Sequence, residues 1–224
     1  MFIWLASYPK SGNTWVRMFL RSYFLKSSEK FSLNKEGSEN FEAHIFPNIK
    51  MLKSASIDHT KFIEIAKNWV ALQDFINLNG KLNFFKTHNG NFTINGHPFT
   101  NTDNTIGGIY IVRDPRDVLL SYSHHLALSH KDTLEIMLKN EHYELDLSDK
   151  NIKDGYKRSI LGNWSNHYLS WKLYKGRKIF ILKYEDLLEN PKKKFLEILE
   201  YLKNFFSFEI NEERINKSIN VTKF

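Results

Sequence analysis

Ser7-Tyr8-Pro9-Lys10-Ser11-Gly12-Asn13-Thr14-Trp15 joins an apolar run, Met1–Ala6, to a helix-like run, Thr14–Leu25. A strand, a tight turn holding proline and glycine, and a helix start make an anion cradle in that order. Backbone N–H groups converge at such a turn, and the helix N-terminus adds positive potential. Lys10 brings a full charge to the same place, and Thr14 reads as an N-cap or first-turn residue. Trp15, directly after it, offers an aromatic face to a base. The stretch is not a Walker A loop: Gly-Lys-Ser/Thr is absent and the lysine precedes the glycine.

Working outward, three further short apolar runs read as strands: Leu82–Thr87, Gly108–Val112 and Lys178–Lys183, in addition to Phe2–Ser7. Helical periodicity fills the intervals at Thr14–Leu25, Asp58–Leu78, Pro115–His124, Ile160–Tyr174, Lys192–Leu202 and Asn211–Asn220. Alternation of this kind predicts an α/β fold in three layers, a central parallel sheet flanked by helices. Right-handed crossovers then bring the strand C-termini to one edge, where the turns after Ser7, Thr87 and Val112 meet. Residues 1–224 read as a single domain, with loop or lid insertions at about 27–56 and 129–157, both polar and charged.

Composition narrows the classes. The 224 residues carry a net charge of +7, which favours anionic ligands. The lysines are dispersed, however, and the compact run Lys192-Lys193-Lys194 reads as the solvated start of a helix, so no nucleic-acid partner is expected. With no cysteine there is neither a disulfide nor a thiolate metal site. No stretch is long and apolar enough to span a membrane, and no signal-like leader precedes the first strand. The expected setting is the cytoplasm. The oligomeric state is not legible.

The edge where the turns meet is rich in chemistry. Lys86-Thr87-His88 ends the second of these strands, and neutral imidazole suits a general base acting on a hydroxyl. Arg113 ends the third, with Ser121 two helical turns into the next element; guanidinium plus hydroxyl is phosphate chemistry. Arg113–Asp117 and Asp114–Arg116 ion pairs are the alternative use of those charges.

Taken together, the first loop, Lys86-Thr87-His88, Arg113 with Ser121, Gly162-Asn163-Trp164-Ser165-Asn166-His167, Tyr184-Glu185-Asp186 and Thr222-Lys223-Phe224 resemble, in order, the motifs of the cytosolic-type sulfotransferases. The resemblance implies a P-loop-like fold and transfer of the sulfuryl group of PAPS (3′-phosphoadenosine 5′-phosphosulfate) to a hydroxyl or amine, leaving PAP, with no metal. It implies catalytic roles for His88 as base and for Lys10 and Lys86. Nucleotide contacts would come from Lys10, Ser11, Gly12, Asn13, Thr14 and Trp15, from Arg113 and Ser121 at the 3′-phosphate, and from Tyr184, Thr222 and Phe224 at the adenine. Partners are then a small-molecule, glycan or lipid acceptor. The family's C-terminal Arg-Lys-Gly segment, a further 3′-phosphate contact, is not in the sequence. A non-catalytic nucleotide-binding or anion-binding module and a degenerate P-loop kinase are the alternatives.

Overall fold

A computed structural model describes residues 1–25, 43–153 and 155–222. At its centre is a five-stranded, all-parallel sheet of β1 (Phe2–Ser7), β2 (Ala43–Ile45), β3 (Asn83–Thr87), β6 (Thr105–Val112) and β9 (Ile179–Lys183), ordered β2-β3-β1-β6-β9. All six residues of β1 are buried, because its two faces serve two cores. Ile3 and Leu5 pack with Val16, Phe19, Leu20, Ile109 and Phe195 on one side. Phe2 and Trp4 pack with Phe46, Trp69, Phe99 and Trp171 on the other. A strand buried on both faces must be apolar throughout, which is why Phe2-Ile3-Trp4-Leu5-Ala6 lacks polar alternation.

The first core is roofed by α1 (Asn13–Phe24), α8 (Tyr184–Glu189), α9 (Pro191–Leu202) and α10 (Glu212–Thr222). α1 buries Trp15, Val16, Phe19, Leu20 and Tyr23, a spacing that lines one helical face. The second core is covered by α3 (Phe62–Lys67), α4 (Trp69–Asn77) and α7 (Trp164–Lys172). A third, smaller cluster of Tyr8, Val118, Tyr122, Met137 and Leu161 fixes α5 (Pro115–Leu126) and α6 (His130–Leu138) beside the end of β1.

Several sequence expectations are corrected. The helix read over Asp58–Leu78 is two helices, broken at Asn68, whose side-chain amide donates to the Glu64 carbonyl at 2.8 Å and competes with the backbone ladder. The helix read from Ile160 begins at Trp164: Ile160 ends a strand, and Asn163 caps α7 by accepting from the Asn166 N–H. β6 begins at Thr105, not Gly108. Gly107 is glycine because Phe205 and Tyr201 press against the strand there, and a Cβ would collide with both.

Within 27–56, the described residues hold β2 and α2 (Ile49–Ser54); the rest of that loop, through residue 42, lies outside the described residues. Within 129–157 lie α6, β7 (Tyr143–Asp146) and the start of β8 (Tyr156–Ile160), an antiparallel hairpin. Two more short strands, β4 (Thr93–Ile94) and β5 (His97–Pro98), form a separate antiparallel pair.

The lysine run lies on the first turns of α9 as expected. There Lys192 pairs with Glu212 at 2.7 Å and Lys194 with Glu197 at 3.0 Å. Among the described residues, no helix is long and apolar enough to cross a membrane.

Candidate active site

From β1 the chain forms β2 and then β3 on one side of it, and afterwards β6 and β9 on the other, so the sheet order reverses at β1. In an open parallel sheet the crevice outside the strand ends at such a point is where ligands bind. The turn after β1 fills that position. Lys10 is exposed with φ +66° and Gly12 follows with φ +95°. Two left-handed residues around Ser11 curl the turn so that α1 starts abruptly at Asn13. Gly12 is the N-cap, so no side chain satisfies the first-turn N–H groups. Thr14 is in the first turn and exposed. Gly12 has a second reason to be glycine: a Cβ there would collide with the ring of Tyr184.

Ser7 ties the loop to the second motif. Its carbonyl accepts a hydrogen bond from His88 Nδ1 at 2.7 Å, and its hydroxyl lies 3.3 Å from the same nitrogen and from the Asn13 amide. Asn13 also donates to the Leu5 carbonyl at 3.0 Å. A carbonyl can only accept, so the proton of the neutral imidazole is on Nδ1 and Nε2 keeps its lone pair.

His167 holds His88 from behind. Its Nε2–H donates to the His88 carbonyl at 3.0 Å, and its Nδ1 accepts from the Tyr110 hydroxyl at 2.8 Å. His142 bridges the hydroxyls of Tyr8 and Tyr122 at 3.0 and 3.2 Å, joining the loop, α5 and the residue before β7.

Arg113 and Tyr184 close the other side. Arg113 donates to the Lys10 carbonyl at 3.1 Å and stacks its guanidinium 4.8 Å from the Tyr184 ring centroid. Its Nε is buried without a hydrogen bond and is 4.0 Å from Asp117. Arg116 instead pairs with Asp114 at 2.5 Å. Ser121 is half-buried on α5.

Trp15 is 7% exposed, edge-on to Tyr184 and Phe195, so its ring belongs largely to the core. Thr222 is buried, and its hydroxyl donates to the Ser218 carbonyl at 2.7 Å. Phe224 lies outside the described residues.

Burial dominates the electrostatics. It lowers the pKa of His88 to about 3, with Lys86 adding to the effect and Glu144 opposing it. It lowers Lys86 to about 8, where Glu144 opposes and Arg17 and Arg158 reinforce. His142 and His167 fall to about 4, again chiefly by burial.

These three histidines titrate near 6.5 in the unfolded chain. Between pH 6.5 and 4 the unfolded state therefore binds more protons, and folding stability is lost as the pH falls through that window. Thermal melts should show Tm falling already between pH 6.5 and 5, before most carboxylates titrate. A flat Tm over that interval would contradict the neutral, buried assignment.

Sequence reasoning passed over Asn89, His142, Glu144 and Arg158, and it quoted His167 without giving it a role. The Asn89 carboxamide oxygen accepts from the Ile160 N–H at 2.9 Å and its carbonyl from the Trp171 indole at 3.0 Å. No local signal marked the hairpin: Leu145 is 54% exposed and Asp146 buried, the reverse of what the apolar–polar alternation in Tyr143-Glu144-Leu145-Asp146 suggests. Among the described residues no group of three His, Asp or Glu side chains is placed to hold a metal ion.

A family model for the sulfotransferase domain matches residues 2–224. The chain belongs to the sulfotransferase family. Sulfotransferase 1A1 of Mus musculus is 26% identical over 225 residues, covering 98% of this chain and 64% of that protein. Luciferin sulfotransferase of Photinus pyralis is 27% identical over 218 residues, covering 94% of this chain and 52% of that one. The chain thus spans less than two thirds of the length of these curated relatives.

Among solved structures, mouse sulfotransferase SULT7A1 complexed with PAP superposes with a TM-score of 0.57 at 19% identity, over 99% of this chain and 63% of that one. Retinol dehydratase in complex with androsterone and inactive cofactor PAP gives 0.51 at 16% identity, over 99% and 64%. These likenesses show the fold, a central parallel sheet flanked by helices.

Proposed function

We propose that the chain is a PAPS-dependent sulfotransferase that moves a sulfuryl group to a hydroxyl or amine of a small-molecule, glycan or lipid acceptor in the cytoplasm. One observation carries the reading. A lysine-bearing turn with uncapped N–H groups lies directly against a histidine whose Nδ1 is held by Ser7 and whose Nε2 is left to accept a proton.

The residues fit a bis-phosphorylated nucleotide. Ser11 Oγ and Arg113 Nε are buried yet lack hydrogen-bond partners, as polar atoms awaiting an anionic ligand would be. Lys10 and the N–H groups of Ser11, Gly12, Asn13 and Thr14 would hold the 5′-phosphosulfate. Arg113 and Ser121 would hold the 3′-phosphate. Tyr184, the edge of Trp15, Thr222 and Phe224 would border the adenine.

Bound PAPS supplies an activated sulfuryl group on a phosphate leaving group. The protein's part is positioning and charge stabilisation. His88 Nε2 takes the acceptor proton. Lys10 offsets the charge that grows on the leaving phosphate. Lys86, desolvated at the same edge, meets the sulfuryl oxygens, and a bound anion favours its charged form.

Arg113 should decide between PAP and AMP. A charge-assisted hydrogen bond to phosphate contributes roughly 1.5–3 kcal/mol. By calorimetry, Arg113→Ala should bring the PAP and AMP affinities to within about threefold. Arg116→Ala, whose guanidinium is held by Asp114, should leave their ratio unchanged. An unchanged PAP preference in the Arg113 variant would move the 3′-phosphate site to another basic group, Lys223 being the nearest in sequence to the adenine residues.

The function itself is tested by incubating the chain with sulfur-35-labelled PAPS and a panel of phenols, alcohols and amines. Label should pass to an acceptor in wild type and not in His88→Asn. PAP binding with no transfer to any acceptor would leave a nucleotide-binding module and refute catalysis.

A further inference from the structure

The β7–β8 hairpin carries buried charge that the proposed chemistry leaves unused. Glu144 on β7 pairs with Arg158 on β8 at 2.9 Å, and Arg158 also bonds Asp146 at 2.7 Å. The Glu144, Arg158 and Asp146 side chains are 24%, 13% and 10% exposed. Two carboxylates share one guanidinium, so Arg158 alone does not neutralise Glu144.

Its position is set by the backbone. Glu144 faces Ser159 across the hairpin, one residue before Ile160. Ile160 is bonded through its N–H to the Asn89 side chain and through its carbonyl to the Gly90 N–H, both at 2.9 Å. The hairpin is therefore stitched to the two residues that follow His88.

We infer that Glu144 is a positioning residue for the proposed proton transfer, stabilising the imidazolium that His88 becomes as it takes the acceptor's proton. The proton passes from the acceptor O–H to the Nε2 lone pair, and the O–H electron pair stays on the acceptor oxygen. The inference rests on the reading of His88 as the base.

The groups around His88 explain the need. Lys86 from β3 and His167 from α7 oppose a positive charge on the ring, as does burial. Glu144 and the Ser7 carbonyl favour it. Burial pushes Glu144 toward its neutral form, but Arg158 and Lys86 hold it ionised, and its charge also reaches Tyr122 and His142. A base this desolvated takes up a proton poorly, and a fixed carboxylate offsets that without touching the acceptor.

The test uses the full chain bound to PAP, with His88 followed by ring-nitrogen NMR and assigned by its loss in His88→Gln. Glu144→Gln should lower the His88 titration midpoint by about one unit, and Glu144→Asp should leave it near wild type. In the labelled-PAPS assay, kcat of Glu144→Gln should fall about tenfold, with KM for PAPS unchanged and recovery in Glu144→Asp.

Glu144→Gln leaves Arg158 its bond to Asp146, and Glu144→Gln with Arg158→Lys keeps a cation for Asp146 and covers the case in which the single variant fails to fold. A direct charge effect keeps the lowered midpoint in this pair, whereas a role only in clamping Arg158 restores it. A wild-type midpoint in either Gln variant overturns the inference. A lowered midpoint in a chain that transfers no sulfuryl group would refute the catalytic reading while supporting the Glu144–His88 coupling.

Discussion

His88→Asn should lower turnover by about 10²–10⁴-fold and leave PAP affinity nearly unchanged. The argument is geometric. An Asn amide can still donate to the Ser7 carbonyl that His88 Nδ1 bonds at 2.7 Å, so the loop keeps its anchor. What disappears is the Nε2 lone pair. Burial holds the ring neutral through the working pH range, with the pKa lowered to about 3. The acid limb that depends on His88 should therefore lie well below the 6.5 of an ordinary histidine. Single-turnover rates with labelled PAPS, read against calorimetric PAP affinity, check both halves. A variant that retains a tenth or more of wild-type turnover would assign the proton to another group.

Lys10→Ala should have an effect of similar size but a different signature. Lys10 is exposed at the turn, and among the described residues it has no side-chain ion pair, so its charge is available to a ligand. Charge on the leaving phosphate develops in the transition state, and an interaction stronger there than in the ground state lowers kcat more than it weakens binding. Loss of about 10²-fold or more in kcat, with a smaller change in PAP affinity, is the expected result. Lys10 also takes a left-handed backbone conformation with φ +66°, so alanine is strained at the same position. Lys10→Asn, which tolerates that conformation better, separates loss of charge from loss of loop shape. Equal losses in affinity and kcat would give the lysine a binding role only.

The parts of the fold legible in the sequence are those whose physics is local. β1, β3 and β9 are short apolar runs closed by turn residues. The turn at Pro9–Gly12 announces itself through proline, glycine and the amphipathic run behind it. His88, Lys86 and Arg113 were readable because each ends a strand, and a parallel sheet collects strand ends at one edge.

The hairpin was not legible. Its strands carry Glu144, Asp146 and Arg158, which in isolation resemble solvated loop residues. They become strand residues only once each carboxylate finds the one guanidinium, at 2.9 and 2.7 Å. β2 is three residues long and exists because β3 offers an edge at Phe84–Lys86. The start of β6 was hidden by Gly107-Gly108, which suggests a turn until Tyr201 and Phe205 are placed against it. In each case the deciding partner is far away in sequence.

The most direct measurement is calorimetric titration of the chain with PAP and with ATP, each with and without magnesium. A site built from Lys10, Arg113 and Ser121 for two separated phosphates should bind PAP at least about tenfold more tightly than ATP, with no dependence on magnesium. Magnesium-dependent preference for ATP, or equal and weak binding of both, would contradict a sulfotransferase site at the end of β1.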